Sequence, residues 1–234
     1  MADDLLLEVR HLFQGHVHAE IAARAAKVPV IVATQMLESM VTHLRPTRAE
    51  VSDVTTAIFD GADAIMLSAE TATGRYPHQA VDMMSRVAIR AEEALLTQQP
   101  VRRRRADDET VGFPEAVSHA AATAANELNA RAVVAFTQSG FSARLISHQR
   151  PDVPIIAFTP AVEVRRRLAL SWGVSSRLIR KVETTDEMVD EIEKALLGDR
   201  SVGVNDVIVI ISGAPMWVTG STNLMKLHRI GERR

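Results

Sequence analysis

The chain has 234 residues, of which 47% are hydrophobic, 24% charged and only 4% aromatic, with a formal net charge of -2 and no cysteine. This balance gives no electrostatic reason to expect a nucleic-acid partner, and the lack of cysteine excludes disulfides, thiolate metal sites and a cysteine nucleophile. The first residues are acidic where a secretory leader would be basic, and no apolar run is long enough to span a bilayer, so the sequence predicts a globular cytoplasmic chain with no membrane partner.

Residues 1–20, MADDLLLEVRHLFQGHVHAE, form a leader without a clear pattern. Its His11, His16 and His18 do not share one helical face and have no second ligand cluster, so no metal site is predicted. Val28 to Ala33 is a short apolar run, as expected of a parallel strand buried on both faces, and it stops at Thr34 and Gln35. Polar groups at the carboxyl end of such a strand occupy the place where parallel sheets put chemistry. Thr34 also reads as a strand-end threonine bonded to its own loop. Behind Pro46, Thr47 and Glu50 make a capping box that accounts for Glu50, and Arg48 on the helix face needs no role. Val51, Val54, Ile58 and Phe59 continue at helical spacing until Gly61 supplies a stop. A second strand, Ala64 to Leu67, ends at Ser68 and Glu70, and Pro77 opens a helix whose stripe is Ala80, Met84, Val87, Ala88, Ala91 and Leu95.

Helical periodicity fails after Gln98, and residues 99–106 read as a linker within VRRRRADDE. Four arginines in a row could grip phosphates, but Asp107, Asp108 and Glu109 follow at once, which favours a solvated hinge. From 107 to 234, strands at about 131–137, 154–159, 176–182, 206–212 and 223–229 alternate with helices and predict a compact α/β domain of about five strands. Pro114 begins one helix with Val117, Ala121, Ala124 and Leu128 on a face; Thr184 and Glu187 make a second capping box before Met188, Ile192 and Leu196. Between the first of these strands and its helix lies TQSGFS, where Thr137, Ser139, Gly140 and Ser142 put hydroxyls and free amides at a helix N-terminus. That is the composition of an anion site, and equally of an ordinary N-cap with a tight glycine turn.

Several long stretches, in order, resemble the pyruvate kinase family: ATQMLESM (33–40), RPTRAE (45–50), SDV (52–54) and DGADAIMLSAET (60–71) are similar to the last two units of its barrel. TQSGFSARLIS (137–147), RPDVPIIAFTP (150–160), RRLALSWGV (166–174) and GSTNLMKLHRIG (220–231) are similar to its C-terminal domain. The resemblance implies a partial (β/α) barrel remnant over 1–98, with 1–20 unmatched, followed by the family's C-terminal α/β domain over 107–234. Two strand-helix units cannot close a barrel, so this part is expected to meet a complementary barrel chain, to form a homo-oligomer, or to be poorly ordered.

The family reaction moves a phosphoryl group from phosphoenolpyruvate to ADP, with Mg2+ and K+ as cofactors. Thr34 matches the family threonine that faces the substrate, and is the one catalytic and substrate-binding residue that carries over; Ser68 and Glu70 stand as supporting residues, with Ala69 where the family often has glycine. The metal-binding carboxylates and the phosphate-facing cations come from earlier strands in the family and have no match here. The resemblance therefore implies an isolated chain without activity. A non-catalytic effector-binding or assembly module, and the second piece of a split enzyme, are the alternatives. In many family members the turn matching TQSGFS holds the phosphate of an allosteric activator and the segment matching 212–222 closes over it; Gln138 and Phe141 here bring no positive charge to that turn.

Overall fold

The computed structural model of the protein describes residues 28–33, 35–97, 112–216, 218 and 220–232. The chain divides into two units, Met1–Arg105 and Ala106–Arg234. The linker at 99–106 and the leader's histidines lie outside the described residues.

In the first unit the order is β1 (Ile31–Val32), a 3-10 turn (Glu38–Val41), α1 (Arg48–Asp60), β2 (Ala64–Ile65), α2 (Ala69–Ala72) and α3 (Pro77–Thr97). β1 and β2 are parallel, with Ile31 opposite Ala64. The capping box at α1 is complete: Glu50 N donates to Thr47 Oγ1 at 3.3 Å and Thr47 N donates to Glu50 Oε2 at 2.7 Å. Gly61 ends the helix at φ +100°, a left-handed conformation that costs a residue without Cβ little. Helical spacing then puts Val54 and Ala57 of α1 against Ala80 and Met84 of α3, and Leu37 and Met40 close this core from the segment after β1.

The strand expected over Val28–Ala33 is corrected in two respects. Its ladder covers only Ile31 and Val32, and Ile31 is 46% exposed rather than buried, because among the described residues β1 pairs with β2 alone. β2 is likewise shorter than Ala64–Leu67; Met66 N still reaches Val32 O at 2.9 Å before the chain turns into α2.

The second unit runs α4 (Phe113–Glu127), β3 (Ala132–Phe136), α5 (Phe141–His148), β4 (Ile155–Thr159), α6 (Val162–Leu168), β5 (Val174–Leu178), α7 (Thr185–Gly198), β6 (Val207–Gly213) and β7 (Thr222–Arg229). The sheet order is β5-β4-β3-β6-β7, parallel except for β7, which is antiparallel to β6. Strand periodicity sends Val133, Ala135, Val209 and Ile211 to one face, against α4, α5 and α6. Val134, Phe136, Ile208 and Ile210 go to the other, against α7. Covering both faces requires strands that are apolar throughout, as β3 is and as β4 is up to its terminal Thr159. Met188, Ile192 and Leu196 of α7 are fully buried, each stabilising the fold by roughly 1.5–3 kcal/mol.

Three details differ from expectation. β5 begins two residues earlier than predicted, since Gly173 at φ +66° turns the chain so that Val174 meets Ile155; β4 ends at Thr159, which leaves Arg180 and Lys181 without a strand to pair with. In α4 the buried positions are Ser118, Ala121, Ala122 and Ala125, whereas Leu128 caps the helix and is 46% exposed. At α7 only half of the capping box forms: Glu187 N donates to Thr184 Oγ1 at 3.2 Å, but the Glu187 carboxylate accepts from Glu183 N at 3.0 Å, one residue before the cap.

Candidate ligand site

From β3 the chain steps outward to β4 and β5 and then returns to place β6 on the other side of β3. Connections leave β3 and β6 in opposite directions, and the carboxyl ends of such a pair leave a crevice that loops do not fill. The TQSGFS turn follows β3 and the 212–222 loop follows β6, so the topology brings these two distant segments to one cleft. Thr137, Ser139, Ser142, Gly213, Ser221 and Thr222 line it, with Phe136, Phe141 and Met216 as its apolar wall.

The turn is built locally. Thr137 N stays on the sheet, donating to Phe158 O at 2.9 Å, while Thr137 Oγ1 accepts from Gly140 N at 3.0 Å. Gly140 adopts φ +84° and starts α5 with no side-chain cap, so the helix's first-turn amides are offered at the turn. Ser142 Oγ meets Thr222 Oγ1 at 2.6 Å in a buried contact. The loop across the cleft is clipped at its base by Asn223, whose amide donates to Ala214 O and accepts from Ala214 N, each at 2.7 Å. Ser221 Oγ donates to Val218 O at 2.7 Å, and a Cβ on Gly213 would collide with Ser221, so the strand end needs glycine for this approach. Ser212, next along β6, keeps a buried hydroxyl with no partner among the described residues.

All four sequence-predicted residues, Thr137, Ser139, Gly140 and Ser142, therefore lie on one turn, with Ser221 and Thr222 joining them from the far end of the chain. Sequence reasoning marked the 212–222 loop as a segment but did not single out these two hydroxyls, because their relation to Ser142 depends on sheet order. A cleft of hydroxyls, amides and apolar wall is suited to an oxyanion on a small molecule.

Thr34 lies outside the described residues, as do Trp217 and Thr219. The other candidates of the first unit act as braces. Glu70 is 1% exposed and accepts from Leu37 N at 3.1 Å and from Ser68 N at 2.8 Å, tying together the segments that follow β1 and β2. Glu50 does more than cap α1: its carboxylate also accepts from Ser39 N and Ser39 Oγ, both at 2.6 Å. Burial presses the Glu50 pKa upward, but the bonds from Ser39 and Thr47 outweigh it and hold the carboxyl below its ordinary value of 4.5. Trp172 is a packing residue, with Arg150 stacked 4.6 Å from its ring and its carbonyl accepting from Ser147 Oγ at 2.7 Å.

Among the described residues no three His, Cys, Asp or Glu side chains form a group that could hold a metal ion. Mg2+, implied by the resemblance, thus finds no cluster of carboxylates among the described residues. No helix among the described residues is long and apolar enough to cross a membrane.

The fold defines an α/β domain of the doubly wound type with a cleft at the carboxyl ends of β3 and β6, preceded in the chain by a pair of parallel strand-helix units. Two family models match the two units: the pyruvate kinase barrel domain over residues 12–81 and the pyruvate kinase alpha/beta domain over residues 115–228. The chain belongs to the pyruvate kinase family. It is 44% identical over 210 residues to a pyruvate kinase of Mycobacterium tuberculosis (strain ATCC 25618 / H37Rv), covering 90% of this chain and 43% of that protein. With a pyruvate kinase of Geobacillus stearothermophilus it shares 46% identity over 204 residues, 87% of this chain and 35% of the relative. A pyruvate kinase structure from Cryptosporidium parvum superimposes with a TM-score of 0.80 at 33% identity, over 94% of this chain and 44% of that one. The chain spans less than half the length of these relatives.

Proposed function

We propose that the chain serves the phosphoryl transfer of its family, in which phosphoenolpyruvate and ADP give pyruvate and ATP in cytoplasmic glycolysis, and that the 234-residue polypeptide on its own does not turn over. The observation that carries the family reaction is the match of both units, in order, to the two domains of one enzyme. The loose transition state of phosphoryl transfer is stabilised by cations that bridge the phosphate oxygens. Of the family's catalytic groups, Thr34 alone is proposed to act from this chain, as a hydroxyl that holds a substrate oxygen or relays a proton. The metal-binding and phosphate-binding partners would then come from a complementary barrel chain or another copy.

The contribution of the second unit is a phosphorylated effector bound at Thr137, Ser139, Gly140 and Ser142. Its support is the placement of this turn at the switch point of the sheet, opposite the 212–222 loop. The same cleft favours the second reading, a non-catalytic effector-binding module, because it is assembled within residues 112–232 alone.

The test is ATP formation from phosphoenolpyruvate and ADP by the purified chain with Mg2+ and K+, beside a full-length pyruvate kinase. Turnover by the chain alone overturns the inactivity proposed here. No turnover from folded chain, restored by adding the missing barrel portion, supports the catalytic reading; no restoration favours the binding module.

A further inference from the structure

The cleft occupies the ends of β3 and β6, whereas the β5 end of the same sheet has a different character. Among the described residues β5 pairs with β4 alone, in register over Val174–Leu178 and without a bulge. Gly173 O accepts from Ile155 N at 3.2 Å and Ile179 N donates to Thr159 O at 3.1 Å. Residues 173, 175, 177 and 179 therefore turn their backbone groups to β4. By the same alternation the N–H and C=O groups of Ser176 and Leu178 point away from it, and no other described segment bonds to them. Leu178 is 46% exposed. A regular edge with unpaired backbone and an exposed leucine is a template for one more strand.

Charge decides which strand fits. Val174 packs into the core on the α6 side, and alternation puts Ser176 and Leu178 on that same face. Ser176 Oγ donates to Arg165 O at 2.8 Å, so the turn of α6 that carries Arg165 and Arg166 lies against β5. Both arginines are exposed and, like Lys181 just beyond the strand, have no carboxylate within ion-pair distance among the described residues. Glu163, in the first turn, is the single acid of α6. The cations of the other face are answered: Arg177 pairs with Asp199, and Arg180 with Glu191 at 3.1 Å. The dipole at the C-terminus of α6 accounts for arginines there, but not for Lys181 or for the exposed Leu178. Like charges along an edge repel a second copy of that edge and attract a strand of opposite sign.

We propose that the β5 edge docks an extended acidic segment of a partner polypeptide as a sixth strand. Its main chain bonds to the outward groups of Ser176 and Leu178. Its alternate side chains lie over Leu178 and carry carboxylates to Arg165 and Arg166. This surface is separate from the cleft and independent of both the catalytic and the effector readings.

The experiment is fluorescence anisotropy with the full 234-residue chain and a labelled eight-residue peptide of alternating threonine and glutamate. A threonine–lysine peptide of the same length is the charge control. Two further threonine–glutamate peptides carry N-methyl groups, one on the threonine amides and one on the glutamate amides. The acidic peptide should bind and the basic one should not. One N-methylated peptide should lose binding and the other keep it, because a strand offers only alternate amides to its neighbour. The pair Arg165→Gln and Arg166→Gln should weaken binding by about fivefold, as two exposed ion pairs allow. Equal binding of both N-methylated peptides would overturn strand addition, and equal binding of the basic peptide would overturn the charge selection. No binding of the acidic peptide, with self-association of the chain abolished by Leu178→Lys, would replace the acidic partner by a second copy and overturn the proposal. No binding without self-association overturns it outright. The N-methylated peptides test the unaltered chain, so the outcome does not depend on a variant folding.

Discussion

Ser142 Oγ and Thr222 Oγ1, 80 residues apart in sequence, lie 2.6 Å apart in a buried hydrogen bond that joins the start of α5 to the start of β7. Thr222→Val leaves the Ser142 hydroxyl buried without a partner and should cost about 1–3 kcal/mol. Adding Ser142→Ala should recover part of that loss, because the two sites share one interaction. A urea titration followed by tryptophan fluorescence reads this directly, since Trp172 and Trp217 both belong to the Ala106–Arg234 unit. Simple additivity of the two losses would count against the coupling.

Gly140→Ala should destabilise the same unit. The position has φ +84°, which costs an L-residue roughly 1–2 kcal/mol, and the added Cβ would press on Arg144, Leu168 and Val164 at 3.1–3.3 Å. The same urea titration should show a lower midpoint with the slope unchanged; wild-type stability would mean that the turn tolerates a side chain.

Glu70→Ala strands the Leu37 and Ser68 amides in a buried setting and should cost about 2–4 kcal/mol, the sum expected for two unsatisfied donors with some relaxation. Glu70→Gln keeps one carbonyl acceptor and should cost less. Tyr76, the only tyrosine in the chain, lies in this unit, so near-ultraviolet dichroism of its band across a urea series separates the two variants. Equal losses would argue that a single carbonyl acceptor recovers nothing and that both amides need the carboxylate.

The Glu50 carboxylate should give the first unit a pH dependence. Its folded-state pKa lies below 4.5, so its contribution is complete above the unfolded value and is lost as pH falls through the lowered folded value. The site is only partly buried, which limits the effect to about 1 kcal/mol. Hydrogen exchange at Ser39 and Thr47 N–H should therefore lose protection on acidification beyond the change in intrinsic rate, and Glu50→Gln should show reduced protection already at pH 7. Protection in Glu50→Gln equal to that of the wild type at pH 7 would remove this carboxylate as the cause.

Much of the local structure was legible because its causes are local. Thr47, Glu50 and Gly61 bound α1 through their own backbone and caps, and TQSGFS announces its turn through Gly140. Errors arose where a neighbour decides. Glu187 closes its bond one residue before the expected cap, and β5 takes its register from Ile155 opposite Val174. The brace between Glu50 and Ser39 was hidden for the same reason: a capping box fully explained Glu50 until the segment after β1 folded onto it.

By itself the sequence determined the α/β class, the order of its elements, the caps and the resemblance to a family, since each depends on hydrophobic period, on residues a few positions apart, or on long motifs read in order. Only the tertiary structure decided that β3 and β6 are neighbours, and with that the meeting of Ser142 with Thr222 and of the 137–142 turn with the 212–222 loop. It also decided that Arg144 reaches back to Ser139 O and feels the positive charge of Arg167. Strand order and side-chain neighbourhood follow from burying both faces of one sheet, a condition on the whole domain that no short stretch of sequence contains.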